Sequence, residues 1–124
     1  MTHDVYCNLH KMCASVKALD GPDKGHVIAT PRQVLVHDVT FHVLPGGLAR
    51  AQREGVRNVH AYARGTAEIV DSVDAVSTHP DAVRLHYNAI SGPQPGRFYR
   101  HDTGAPVASA RVLAIDGKRA YIIP

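Results

Sequence analysis

The stretch from Gly46 to Gly65, GGLARAQREGVRNVHAYARG, decides the fold because it predicts a helix and the strand that follows it. Its leucine, alanines and glutamine favour a short helix over about 46–55, and Gly55 stands where a left-handed residue closes a helix. After that glycine, small apolar residues alternate with polar ones, which is the period of a half-buried strand. The stretch also holds four arginines, at positions 50, 53, 57 and 64. A guanidinium group suits a phosphate or carboxylate, although arginines on a solvated helix face are equally common.

Strand patterns fill most of the sequence on both sides of this stretch. The longest is 33–44, where the alternation changes phase at His37 and Asp38 and so predicts a bend or bulge. Residues 72–82 show no clear period and predict a loop that can hold a helical turn. Turn sequences separate the remaining short strands. We therefore predict an α+β fold, mainly β, in which two similar antiparallel β-meander units flank one short helix.

The two β-rich parts resemble each other. Residues 6–38 and 87–116 share a strand, a tight turn, a glycine followed by small residues, an arginine, and an apolar strand with a terminal aspartate. This shared order predicts an internal repeat within a single domain, 1–124. It places Arg32 and Arg111 at equivalent strand starts, where they could form a paired anion clamp or simply face solvent.

Composition limits the class of protein. The chain of 124 residues has a net charge of +3, a pI near 9.1 and a mean hydropathy of −0.17, which are values of a small globular domain. No apolar run approaches about eighteen residues and the start lacks a signal-peptide pattern, so we expect a cytoplasmic protein without a membrane partner. Cys7 and Cys13 lack metal or redox spacing and predict free thiols. The few aromatic residues argue against a stacking platform for single-stranded nucleic acid.

Nine histidines raise the question of a metal or catalytic site. His37 and His42 are five residues apart on one predicted strand, so they point to opposite faces unless the bend intervenes. The sequence contains no metal-binding, phosphate-loop or nucleophile motif, and we predict no metal, no cofactor, no catalytic residue and no enzymatic activity. The alternative is a small enzyme that uses His60 or His86 as acid or base.

Several segments resemble small proteins of phages and prophages. They are 8–11, 39–43, 50–65, 87–88, Phe98, 102–107 and 110–112. Among such proteins, the chain is most similar to the first type of Thoeris anti-defence proteins. That resemblance implies a phage-encoded homo-oligomer in the host cytoplasm, which sequesters a cyclic nucleotide or cyclic ADP-ribose-type immune signal without cleaving it.

The residues themselves suit an anionic small molecule of this kind. Arginines from three separate segments can take phosphates, rings can stack on a base, and asparagines can hydrogen-bond a base edge or a ribose. Nine residues are predicted to bind the ligand: Arg32, Arg57, Asn58, His60, Tyr62, Tyr87, Asn88, Phe98 and Arg111. The basic pI and the same arginines leave a nucleic-acid-binding phage accessory protein as the alternative.

Overall fold

The computed structural model describes residues 2–8, 13–44, 49, 53, 61–88, 97–117 and 119–124. The elements whose bounds lie within these residues are β1 His3–Asn8, β2 Cys13–Ala18, β3 Val27–Ala29, β4 Gln33–Val43, β5 Ala61–Ile69, α1 Asp74–Ser77, β6 Val83–Asn88, β7 Arg97–Arg100, β8 Ser109–Asp116 and β9 Arg119–Ile123. The predicted α+β, mainly β class is confirmed. Ala49 and Arg53 are helical, and the rest of the predicted helix at 46–55 lies outside the described residues.

All strands join one antiparallel sheet in the order β3-β2-β1-β5-β4-β8-β9-β6-β7. The order has two matching halves that meet at β4 and β8. In the first half β1 lies between β2 and β5, and β5 lies next to β4. In the second half β6 lies between β7 and β9, and β9 lies next to β8. The arrangement is compatible with the repeat at 6–38 and 87–116, which stays a prediction.

The sheet curls around its own core. Strand β2 contacts β4 although β1 and β5 separate them in the strand order. The rings of Phe41 on β4 and Phe98 on β7 lie 4.9 Å apart, centroid to centroid. A flat sheet would place these two strands roughly 19 Å apart, since neighbouring strands are spaced by about 4.8 Å. The face turned inward buries Val5, Ala14, Val16, Val34, Val36, Val39, Ala63, Leu85, Leu113, Ile115 and Ile122.

A bulge in β4 keeps both ends of this long strand packed on the core. The register with β5 shifts between His37 and Thr40, and Asp38 has a φ of 52°, a left-handed conformation that aspartate tolerates. Val36 before the bulge and Val39 after it are both buried. The bend predicted at His37 and Asp38 is confirmed.

Gly65 on β5 lies against the bulge. A Cβ atom at Gly65 would be 2.5 Å from the carbonyl oxygen of His37 and 2.9 Å from Cγ1 of Val36. Real Cβ atoms do not approach other atoms so closely, so only glycine fits here without displacing the bulge.

Helix α1 covers part of the outward face of the sheet. Val73 and Val76 pack against Ala114 and Ile123, and Leu35 lies at the edge of this second cluster. The side-chain oxygen Oε1 of Gln33 accepts a hydrogen bond from the Val73 amide at 3.1 Å and fixes the start of the helical turn. The helical turn predicted within 72–82 is therefore confirmed. In the described part of the chain, no helix is both long enough and apolar enough to cross a membrane.

Candidate functional site

The predicted ligand-binding residues do not all lie in one place. Arg57, Asn58 and His60 are outside the described residues. Tyr87 and Asn88 belong to β6, where they pair with Phe98 and Arg97 of β7.

The predicted clamp of Arg32 and Arg111 does not form within one chain. Nε of Arg32 lies 3.6 Å from Oδ1 of Asp116, whereas Nε of Arg111 donates to the Pro124 carbonyl oxygen at 2.9 Å. Strands β4 and β8 are antiparallel neighbours, so the starts of the two strands lie at opposite ends of the pair. At about 3.4 Å per residue the two arginines are roughly 20 Å apart. Equivalent positions at the starts of two antiparallel neighbours therefore lie far apart.

Phe98 does not present its ring to an outward site. The ring packs against the core and contacts Phe41. Its alternate neighbour Tyr99 faces outward instead, because successive residues of a strand point to opposite faces.

Tyr62 lies in a row of side chains that crosses the outward face of β4, β5 and β1. Its ring stacks on His42 at 5.1 Å with an interplanar angle of 21°, and the Arg64 guanidinium carbon lies 5.4 Å from the ring centre. Thr40 pairs with Arg64 across the two strands, and its Oγ1 lies 2.8 Å from Nε2 of His42. On the side towards β1, Arg64 binds Asp4. We call these five residues, Asp4, Thr40, His42, Tyr62 and Arg64, the ring–guanidinium row.

Asp4 holds Arg64 in place through a carboxylate that is almost fully buried. It is only 4% exposed, and Arg64 binds it with two hydrogen bonds, Nε to Oδ1 at 2.8 Å and Nη2 to Oδ2 at 3.2 Å. A bidentate pair of this kind fixes the plane of the guanidinium as well as its position. Because Asp4 balances the charge of Arg64, the row presents a fixed planar surface rather than a free positive charge. The sequence between the end of β4 and the start of β5 carries three further arginines, Arg50, Arg53 and Arg57.

The bulge places His37 and His42 on the same face, which is the exception that the sequence left open. His37 Nε2 lies 2.9 Å from Oε2 of Glu68, and His42 stacks on Tyr62. Glu68 and Tyr62 are six residues apart on β5, so they share one face. These two histidines have separate partners, and no group of three or more His, Cys, Asp or Glu residues among the described positions could hold a metal ion.

His86 is sandwiched between two other rings. Tyr99 lies 5.8 Å and His101 4.5 Å from it, centroid to centroid, and both are stacked. Burial lowers the pKa of His86, and the positive potential of His101 and Arg84 lowers it further. Nε2 of His86 is buried and has no hydrogen-bond partner among the described residues. The alternative of His86 as a catalytic acid or base stays a prediction.

The predicted ligand-binding residues omit Asp4, Thr40, His42 and Arg64 of the row, although Arg64 belongs to the arginine cluster and His42 was considered among the histidines. Their contacts join strands that are far apart in sequence, so no local pattern shows that they lie together. The sequence does indicate the stack on His86. Arg84 and His86 are two residues apart on one strand, as are Arg97 and Tyr99 on the next, so each pair points to one face.

The molecule is thus a small curled antiparallel sheet whose outward side carries fixed polar rows. The family of the Mycobacterium phage L5 gene 82 protein matches residues 2–123, and the chain belongs to this phage protein family. No curated protein and no solved structure matches the chain significantly. The predicted resemblance to phage proteins is confirmed, and the similarity to Thoeris anti-defence proteins stays a prediction.

Proposed function

We propose that this protein is a non-catalytic binder of a nucleotide-type ligand and that the ring–guanidinium row is its binding surface. The observation that carries the proposal is the fixed stack of His42, Tyr62 and Arg64, anchored on buried Asp4. Stacking a base on such a surface requires no reordering of the row, because each member already has a partner.

The phosphates of such a ligand would meet the connecting segment. Arg50, Arg53 and Arg57 lie between the last residue of β4 and the first residue of β5, and both strand ends belong to the row's neighbourhood. We therefore expect arginines from this sequence segment to take the phosphates of a ligand that stacks at Tyr62, since bidentate guanidinium contacts suit phosphate oxygens.

The finer version of the proposal is sequestration of a cyclic nucleotide or cyclic ADP-ribose-type signal. The similarity to Thoeris anti-defence proteins suggests it, and membership of a phage family is compatible with it. In that role the protein acts as a homo-oligomer in the host cytoplasm, and it must release its ligand chemically intact.

The test is a thermal-shift and calorimetric panel of cyclic and linear nucleotides with the wild-type chain and Tyr62→Leu. We expect saturable binding by the wild type and about tenfold or greater weakening in the variant, since stacking on an aromatic residue contributes about 1–3 kcal/mol per base. Thr66→Ala is the control, because it changes another exposed residue of β5 that lies outside the row.

Mass spectrometry of ligand recovered after denaturation separates binding from turnover. Recovery of intact ligand supports sequestration, and a changed mass supports an enzyme. The proposal is wrong if no nucleotide in the panel binds, or if Tyr62→Leu binds as tightly as the wild type.

A further inference from the structure

The outward face of β9, β6 and β7 gathers cations and rings. The register pairs Arg84 with Tyr121 and His86 with Tyr99, and one step beyond the Leu85–Ala120 pair His86 lies next to Arg119. The inward positions on the same strands pack into the core, so the alternate positions all face outward. We call this set the cationic face: Arg84, His86, Arg97, Tyr99, His101 and Arg119.

Cations and rings alternate across this face. One cross-strand row runs from Arg119 through His86 to Tyr99. The next row runs from Arg84 to His101, whose amide donates to the Arg84 carbonyl oxygen at 2.8 Å and holds it beside β6. Each ring therefore has an arginine as a neighbour in the next strand or the next row.

The positive charge of the cationic face is not balanced locally. Among the described residues, no hydrogen bond or ion pair joins the side chain of Arg84, Arg97 or Arg119 to a carboxylate. Asp116 borders the face next to Arg119, but its closest guanidinium is Arg32 at 3.6 Å. Asp102, at the end of β7, is held by both Nε and Nη2 of Arg100, at 3.1 and 2.9 Å.

The ring–guanidinium row shows the opposite arrangement. There the one arginine is neutralised by a buried aspartate, whereas here three arginines stand beside exposed or half-buried rings without such an anchor. An unbalanced positive surface attracts a polyanion, and its strength then depends on salt.

We propose that the cationic face binds single-stranded nucleic acid, with phosphates against Arg84, Arg97 and Arg119 and bases against Tyr99 and His101. Rings that stack on bases require bases that are not already paired, so a single strand fits the face better than a duplex. The low aromatic content of the chain argued against such a platform. In the structure, however, two histidine rings join Tyr99 in one stack, so this face carries three adjacent rings.

This site is independent of the nucleotide site proposed above. The two share no residue and lie on opposite halves of the sheet, on β1, β5 and β4 and on β9, β6 and β7. One can exist without the other, and each has its own variants.

The test is fluorescence anisotropy with a labelled single strand about sixteen nucleotides long, the upper end of single-domain site sizes, and with the matching duplex. We expect the single strand to bind more tightly than the duplex, with a linear dependence of log K on log salt concentration. Arg84→Gln and Arg119→Gln should each reduce that slope by about 0.7, the value for one phosphate contact on a single strand. Tyr99→Leu should weaken binding about tenfold with little change in the slope.

Lys24→Gln is the charge-matched control. It removes one positive charge from the exposed turn before β3, at the opposite edge of the sheet, and should leave affinity and slope nearly unchanged. Tyr62→Leu should also bind the strand like the wild type, which separates this proposal from the nucleotide site. Thermal unfolding of each variant confirms that it is folded.

Three results would overturn the proposal. They are absence of binding at low salt, tighter binding of the duplex than of the single strand, and equal weakening by Lys24→Gln and Arg84→Gln. The last result would mean that only net charge matters.

Discussion

The outward side of β4 has a part around Leu35 that helix α1 covers, and an uncovered polar part after the bulge at Asp38. Before the bulge, Leu35 packs with Ala114 under helix α1. After it, Thr40 and His42 lie in the ring–guanidinium row, which none of the described elements covers. One strand therefore stabilises its outward residues in two different ways.

The difference separates stability from binding. The covered part removes apolar surface from water, which stabilises the fold without leaving a surface for a ligand. The polar part satisfies its groups by pairing them with one another, so it stays fixed while exposed. Rigid, paired and uncovered side chains are the arrangement that a binding surface needs.

Gly65→Ala should have the largest effect, because it disturbs both parts of β4. The new Cβ meets the His37 carbonyl oxygen at a distance that forces the bulge to move, and the bulge sets the register of both parts. We expect a loss of about 3 kcal/mol in the free energy of unfolding, measured by urea denaturation, at the top of the typical range for overpacking.

Gly25→Ala is the control for that prediction. Gly25 has a φ of 86° and nothing lies near its missing Cβ, so the substitution costs only backbone strain of about 1 kcal/mol. Equal losses in the two variants would mean that the bulge contact does not matter.

Arg64→Ala should disrupt the ring–guanidinium row and leave the cluster under helix α1 intact. It leaves the carboxylate of Asp4 buried without its partner, and we expect a loss of about 2–3 kcal/mol. Asp4→Asn should cost less, because the released guanidinium is half-exposed and can be solvated. A larger loss for Asp4→Asn than for Arg64→Ala would contradict this account.

Local features of the fold could be predicted from the sequence. The bulge at Asp38 follows from a change of period, and the helical turn at 74–77 lies in a segment whose lack of a clear period predicts a loop that can hold such a turn. The strand order could not be predicted, because the pairing of β1 with β5 and of β4 with β8 depends on the register of distant segments. The curl that brings Phe41 onto Phe98 is likewise a property of the whole sheet.

The candidate site was harder still to predict. Tyr62 was found because its own strand alternates clearly, but the partners of its row come from β4 and β1. Nothing in the sequence around Asp4 indicates that it is buried. Arg32 and Arg111 were expected together because they match in sequence, and antiparallel pairing of their strands places them at opposite ends.

Val76→Ala weakens the covered part. Val76 is 7% exposed and packs in the cluster beneath α1, so we expect a loss of about 2 kcal/mol from the cavity it leaves. Thr40→Ala removes one exposed hydrogen bond from the polar part and should cost about 0.5 kcal/mol. Nucleotide binding should survive Val76→Ala, and a loss of binding in the folded variant would mean that the two parts are coupled.

The smallest expected effect is a pH dependence of stability that arises at His86, on the cationic face. Its pKa is lowered in the folded chain by burial and by the positive charges of His101 and Arg84. Between that lowered pKa and the ordinary histidine value of about 6.5, the unfolded chain binds more protons than the folded chain, so stability falls as the pH falls through this window. Urea midpoints measured above and below it should show the decline, and His86→Gln should flatten it while His26→Gln, in the exposed turn before β3, should not. If His86→Gln keeps the full decline, other groups cause it, and the cationic face does not hold His86 in the neutral form that its neighbours favour.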